Sequence, residues 1–272
     1  MKISFRISLF VFCLAILAGT GFAQPAEQPV FLTVTTIHWN LNNKEFSMDK
    51  WKAVEKEYFD KVTSKNEYIV SSLVLMHYFT ADNTELKIVN TYSSWENIEK
   101  AEERSNELAK AAWPDKDQRT AFFKSQSAYY TNFHSDEIYS NLPYAKQLTA
   151  KSTDPLIYFV MVSQVDFPEG GTQKEAGELM TEYVDKVISK NPIILAYYPS
   201  RHAWGANSQD FVQAFVVRSF EDIVKALDTD TQLEKSAWPD ETDRKDYFAK
   251  RNKYFTGQHA DYIYTSVPEL TK

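Results

Sequence analysis

The chain is poor in cysteine and glycine. Its single cysteine, Cys13, lies in an apolar N-terminal stretch, and only 7 of 272 residues are glycine. A chain without further cysteine has no disulfide framework, so it must fold on buried apolar surface alone, and it is long enough to do so. Scarce glycine argues against backbone loops that cradle phosphate. No Gly-x-Gly-x-x-Gly, Walker, His-Glu-x-x-His or Gly-x-Ser-x-Gly pattern occurs. Positive charge is also in deficit, with 30 Lys and Arg against 37 Asp and Glu. No basic tract marks a nucleic-acid footprint. Beyond the N-terminus no long apolar run occurs, so no membrane contact is expected of the mature chain.

The N-terminus itself reads as a secretory signal over residues 1–23. Lys2 and Arg6 form the basic region, Leu9 to Leu17 the apolar core, and Gly21-Phe22-Ala23 the small-residue context for cleavage before Gln24. Export to the periplasm or the extracellular space follows as the expectation. Cleavage leaves 28 basic and 37 acidic residues, a balance of −9.

What the chain does have is a long internal repeat. A shift of 125 brings Glu57-Tyr58-x-Asp60-Lys61-Val62-x-Ser64-Lys65-Asn66 onto Glu182-Tyr183-x-Asp185-Lys186-Val187-x-Ser189-Lys190-Asn191. It also superimposes Ala112-Trp113-Pro114-Asp115 on Ala237-Trp238-Pro239-Asp240, and His134-x-Asp136-x-Ile138-Tyr139 on His259-x-Asp261-x-Ile263-Tyr264. Written without a gap from Phe31/Leu156 to Gln147/Lys272, 31 of 117 pairs are identical. A period this long reads as a duplicated domain rather than a solenoid unit. The expected organisation is a first repeat over 31–143, a linker over 144–155 and a second repeat over 156–268.

Within each repeat the pattern predicts strand, helix, two strands, helix, a further helix, and a short last strand. Phe31 to Trp39 and Leu156 to Val165 are rich in β-branched and aromatic residues, the latter apolar enough for a central strand. Trp51, Val54, Tyr58 and Val62 recur at helical spacing behind Ser47, with Ala176, Leu179, Tyr183 and Val187 as counterparts. Asn66 and Asn191 are expected to end these helices in the left-handed conformation. Pro199 implies an edge or a bulge in its strand. Asp115 and Asp240 are expected to cap the third helix behind Trp-Pro. The order is ferredoxin-like with one added helix, α+β. With the strands that run into Ser94-Trp95-Glu96-Asn97-Ile98 and Ser219-Phe220-Glu221-Asp222-Ile223, the chain resembles the dimeric α/β-barrel superfamily, which includes antibiotic-biosynthesis monooxygenase-like and NIPSNAP-like domains. The resemblance implies an intrachain pseudo-dimeric barrel, monomeric or weakly oligomeric. That superfamily ranges from cofactor-free oxygenases through haem proteins to non-enzymes, so it carries no single function across.

Several paired residues could do chemistry. His77 and His202 pair under the shift, as do His134 and His259. On an extended segment Asp136 and Asp261 fall on the same side as those last two, where a carboxylate can fix the tautomer of an imidazole and raise its basicity. These four are the candidate acid–base residues. A metal would need a third ligand, His77 or His202 at best, so no metal is expected and no cofactor is identified. Arg119 and Arg244 sit among aromatic residues on the third helix. Each is read either as an ion pair with Asp115/Asp240 or Asp136/Asp261, or as an anion anchor in a cavity. Tyr129 and Tyr254 could donate a hydrogen bond. The copies diverge where Gln126 becomes Arg251, Met76 becomes Arg201 and Phe133 becomes Gln258, so the second copy is the more cationic. The expected function is binding of a small apolar or aromatic molecule, with or without a carboxylate, in a barrel-type cavity. The alternatives are a non-catalytic envelope protein and a haem-dependent, metal-dependent or oxygenase-like enzyme.

Overall fold

The computed structural model describes residues 30–272. The expected signal segment and its cleavage site lie outside the described residues. In the first half the elements are β1 (Phe31–Trp39), α1 (Met48–Lys61), β2 (Ser71–Phe79), β3 (Glu85–Tyr92), α2 (Glu96–Ala112), α3 (Lys116–Ser127) and β4 (Tyr130–Asn141). The second half repeats the order with β5 (Ile157–Val165), α4 (Gln173–Lys186), β6 (Ala196–Trp204), β7 (Asp210–Val217), α5 (Glu221–Ala237), α6 (Glu241–Asn252) and β8 (Phe255–Ser266).

The eight strands close into one antiparallel ring, β1-β3-β2-β8-β5-β7-β6-β4. Each half contributes four adjacent strands, and the halves join at β2–β8 and β4–β6. Closure removes the bare edges that either sheet alone would present. It also buries an inner face built from both halves, with Leu75, Tyr158, Ala196, Val216 and Tyr264 in one cluster. The outer faces carry the helices, with Trp51 and Leu86 central in the first half and Val184, Ile188 and Ile194 in the second. β5 is hydrogen-bonded on both sides, which matches its apolar sequence. Pro199 pairs with Gln213 on one side and lies just past Ser200, the last residue of β6 in register with β4, so its missing N–H interrupts no ladder there. Among the described residues no helix is long and apolar enough to cross a membrane.

Two reciprocal contacts fasten the halves. Lys146, just after β4, donates to the Asn191 carbonyl at 2.7 Å, and Lys272, after β8, donates to the Asn66 carbonyl at 2.6 Å. Both asparagines are fully buried. Their φ values are −79° and −73°, extended rather than left-handed. The side chain explains their retention instead. Asn66 Nδ2 donates to the Ala101 carbonyl and to Ser105 Oγ, while its Oδ1 accepts from the Tyr68 amide. Asn191 does the same with Ala226, Asp230 and Ile193.

Two further expectations need correction. The last strand of each half is long, at 12 residues, because it spans its own sheet and reaches across the seam. Its exposed first half, Thr131-Asn132-Phe133-His134-Ser135-Asp136, disguises it as a loop. The ungapped alignment also slips by one at the start. Phe31 and Ile157 occupy equivalent places, opposite Tyr92 and Val217, so β1 and β5 are offset by 126 and the gap falls before the helices. In a strand, one residue of slip exchanges inner and outer faces, and this is where the ungapped pairs show no identity.

The shared Trp-Pro-Asp segment closes the helical layer. Trp113 stacks on Phe122 at 4.0 Å and Trp238 on Tyr247 at 4.1 Å, with Lys61 and Lys186 each 4.8 Å above the indole. Asp115 and Asp240 accept from amides of the following turn, as caps do.

Candidate functional site

The second half holds two adjoining cavities that share Met180, Arg251 and Phe255. One, about 510 Å³, lies between β5, β7 and β8 and the helices above them. The other, about 830 Å³, runs along α4 toward Arg201 and His202. Both are in the range of small-molecule sites, about 300–1,000 Å³. The smaller has an apolar floor of Phe159, Met161, Ile194 and Phe215, with Arg251, Asp230, Gln213 and His259 around it.

The first half shows how this space arises. There Trp51, 1% exposed, packs edge-on to Trp39 at 5.0 Å and donates through Nε1 to the Tyr130 hydroxyl at 2.6 Å. Glu55 accepts from Tyr130 at 2.7 Å and from Gln126 at 3.0 Å. Burial pushes the Glu55 carboxyl up from its ordinary value, and the two hydrogen bonds oppose the shift. At the same places the second half has Ala176 for Trp51, Val165 for Trp39, Phe255 for Tyr130, Met180 for Glu55 and Arg251 for Gln126. Losing one indole empties volume, and losing the carboxylate leaves a cation without its natural partner.

Arg251 is accordingly held by rings. Its guanidinium lies 4.6 Å over Tyr183 and 4.8 Å over Phe248, and its only hydrogen bonds among the described residues are long ones, 3.3 Å, to Asn252 Oδ1. No carboxylate lies within ion-pair distance of it among the described residues. A stacked guanidinium of this kind presents its remaining N–H groups to an anion. Asp230, 8% exposed, also lines the smaller cavity. Burial pushes its carboxyl up to about 6, with Glu234 adding to the rise and the Asn191 hydrogen bond opposing it.

The residues singled out from sequence fall into three groups. Arg251 faces both cavities, and Arg201, His202 and Tyr254 face the larger one. His202 Nε2 is buried without a hydrogen-bond partner. The Tyr254 hydroxyl donates to Glu175 and accepts from the Thr172 amide. His259 stands at the rim of the smaller cavity with Nδ1 3.1 Å from Asp261 Oδ1, both side chains about half exposed. His134 and Asp136, 3.4 Å apart, are more exposed still. His77 bonds Thr80 at 2.8 Å, and Tyr129 is buried against Trp51 and Phe46.

Arg119 and Arg244 line neither cavity, and neither forms the ion pair considered for it. Their Nη1 atoms donate to the carbonyls of Trp113 and Trp238, at 2.7 and 2.8 Å. Those carbonyls sit where α2 and α5 end and no helical amide remains to meet them. Each arginine therefore mends the Trp-Pro break, which explains why both copies have one. Asp230, Met180 and Ala176 were not singled out, although the paired differences Ser105/Asp230, Glu55/Met180 and Trp51/Ala176 are visible in the sequence.

Among the described residues no group of three or more His, Cys, Asp and Glu side chains could hold a metal. Two imidazoles face the cavities, His259 half in solvent at the rim of the smaller one and His202, with a buried Nε2, at the larger one.

No family model matches the chain, and no curated protein matches it. Solved structures do. A candidate monooxygenase from Fusobacterium nucleatum subsp. nucleatum is 13% identical with a TM-score of 0.56, over 88% of this chain and 92% of that one. A variant chlorite dismutase from Candidatus Nitrospira defluvii is 12% identical with a TM-score of 0.52, over 88% and 92%. An anthrone oxidase-like protein is 14% identical with a TM-score of 0.50, over 91% and 94%. The fold is thus the ferredoxin-like dimeric α/β barrel, and identities this low speak to fold alone.

Proposed function

We propose that the protein is exported and binds a small aromatic acid in its second half, the rings on the apolar floor and the carboxylate on Arg251. The observation that carries this is Arg251 itself. It is a cation stacked on two aromatic rings at the wall of an apolar cavity, with no carboxylate within ion-pair distance among the described residues. Burying the rings supplies affinity, about 25 cal/mol per Å² of apolar surface. The charge-assisted hydrogen bonds fix orientation and exclude neutral analogues. The neighbour described as anthrone oxidase-like is compatible with an aromatic ligand on this fold.

Fluorescence titration with 2-naphthoate tests the reading. Saturable binding is expected, weakened roughly tenfold or more in Arg251→Gln, the residue of the first half. Binding that ignores this substitution contradicts it. Export is checked by the N-terminus of the secreted protein, expected at Gln24.

A second reading adds proton transfer. With Nδ1 facing Asp261, His259 has Nε2 left for a ligand at the cavity rim. Deuterium exchange at the methylene of 2-naphthylacetate, lost in His259→Gln with binding intact, would support it. Equal exchange rates with and without protein would remove it.

A further inference from the structure

Asp230 is a buried group near Arg251 that the binding reading leaves without a task. It is 8% exposed and lines the smaller cavity. Oδ1 accepts from Asn191 Nδ2 at 2.7 Å, while Oδ2 has no hydrogen-bond partner among the described residues. The nearby Lys146 makes no ion pair with it, its ammonium being bonded to the carbonyls of Ile188 and Asn191, and its charge acts on Asp230 only through space. Oδ2 is not sealed in the protein, so it stays open to a donor that enters the cavity.

The turn itself does not require a carboxylate. In the first half Ser105 stands at this place and accepts from Asn66 Nδ2 at 2.8 Å, completing the same buried network with a hydroxyl. The acid is therefore a feature of the half that has the cavity. Asp230 and Arg251 also share one neighbourhood. Both act on the Tyr183 hydroxyl, which donates to Glu234 at 2.8 Å: burial chiefly raises its pKa, Glu234 and then Asp230 add to the rise, and Arg251 opposes it.

We propose that the cavity selects aromatic acids that also carry a hydroxyl group, with Arg251 holding the carboxylate and Asp230 Oδ2 accepting the hydroxyl hydrogen. The proposal rests on the binding reading above and narrows its ligand class. A neutral hydroxyl suits the site, because it supplies one donor to one vacant acceptor and brings no second charge into the apolar space.

Two matched pairs of probes test it by fluorescence titration and by competition: 2-naphthoate against 6-hydroxy-2-naphthoate, and cinnamate against 4-hydroxycinnamate. In the native protein the hydroxy acid of at least one pair is expected to bind roughly tenfold tighter than its parent. That advantage should vanish in Asp230→Ser, whose folding is checked by its melting curve. Should the serine variant not fold, Asp230→Asn replaces it. Asparagine can still accept from Asn191 but turns the vacant acceptor into a donor, and the advantage should again be lost. Equal affinities in both pairs, or an advantage that survives the substitution, overturns this inference and leaves the Arg251 reading standing. If none of the four acids binds, both readings fall.

Discussion

The two halves share a frame and differ in what fills it. In the first, the space under α1 is closed by an aromatic and polar plug: Trp51 against Trp39, bonded to Tyr130, which is bonded to Glu55, which also holds Gln126. In the second, Ala176, Val165, Phe255, Met180 and Arg251 replace these residues and the space is open. A buried polar network must be complete to be tolerated. The second half has dismantled the network and retained a cation where the neutral Gln126 stood. At this point the first half is filled by a closed network, and the second half has cavities instead.

The largest expected effect comes from breaking the plug. Trp51→Ala should cost about 3–5 kcal/mol, read as the loss in urea-unfolding free energy. The reverse change, Ala176→Trp, should fill part of the larger cavity with far less effect on stability. A similar unfolding cost in both would mean that the second-half space is not open.

Next in size is the pH dependence from Asp230. Its folded pKa of about 6 lies above the ordinary 3.8, so the folded state holds a proton that the unfolded state has released. The stability that this proton supports is complete below about pH 4 and is lost as pH rises through about 6. Asp230→Ser removes the loss. The variant should gain on the native protein between pH 4 and pH 7, by up to about 2–3 kcal/mol, as followed by urea midpoints at each pH. A constant difference across that range would show that burial does not shift this group.

Smaller still is the stability change in Arg251→Gln, about 0.5–1 kcal/mol for the lost stacking on Tyr183 and Phe248, whereas ligand affinity falls much further. The smallest belongs to the paired histidines. His134→Ala and His259→Ala should each move stability by less than about 0.5 kcal/mol, because both imidazoles are half or more exposed and an exposed ion pair contributes little. A cost above 1–2 kcal/mol for either in a thermal melt would mark it as structural after all.

Much of the fold was legible because it is written in spacing. The repeat, the element order and the caps at Asp115 and Asp240 all follow from local pattern. The register of β1 was not, because a one-residue offset in a region without identities leaves no trace until hydrogen bonds fix the pairing. The site was legible only in part. The divergence of Gln126 to Arg251 and of Met76 to Arg201 pointed to the second half, and both arginines line its cavities. Arg119 and Arg244 misled because a residue present in both copies can be needed by both folds, here to meet the Trp113 and Trp238 carbonyls. In a duplicated frame, shared residues report architecture first. Specialisation shows in the pairs that differ, such as Trp51 with Ala176 and Ser105 with Asp230.

The central claim is that one half, not both, receives a ligand. Equilibrium dialysis at saturating 2-naphthoate counts the sites directly. One molecule bound per chain, abolished by Arg251→Gln and unchanged by Gln126→Ala, is the predicted result. Two molecules per chain, or none, would contradict it.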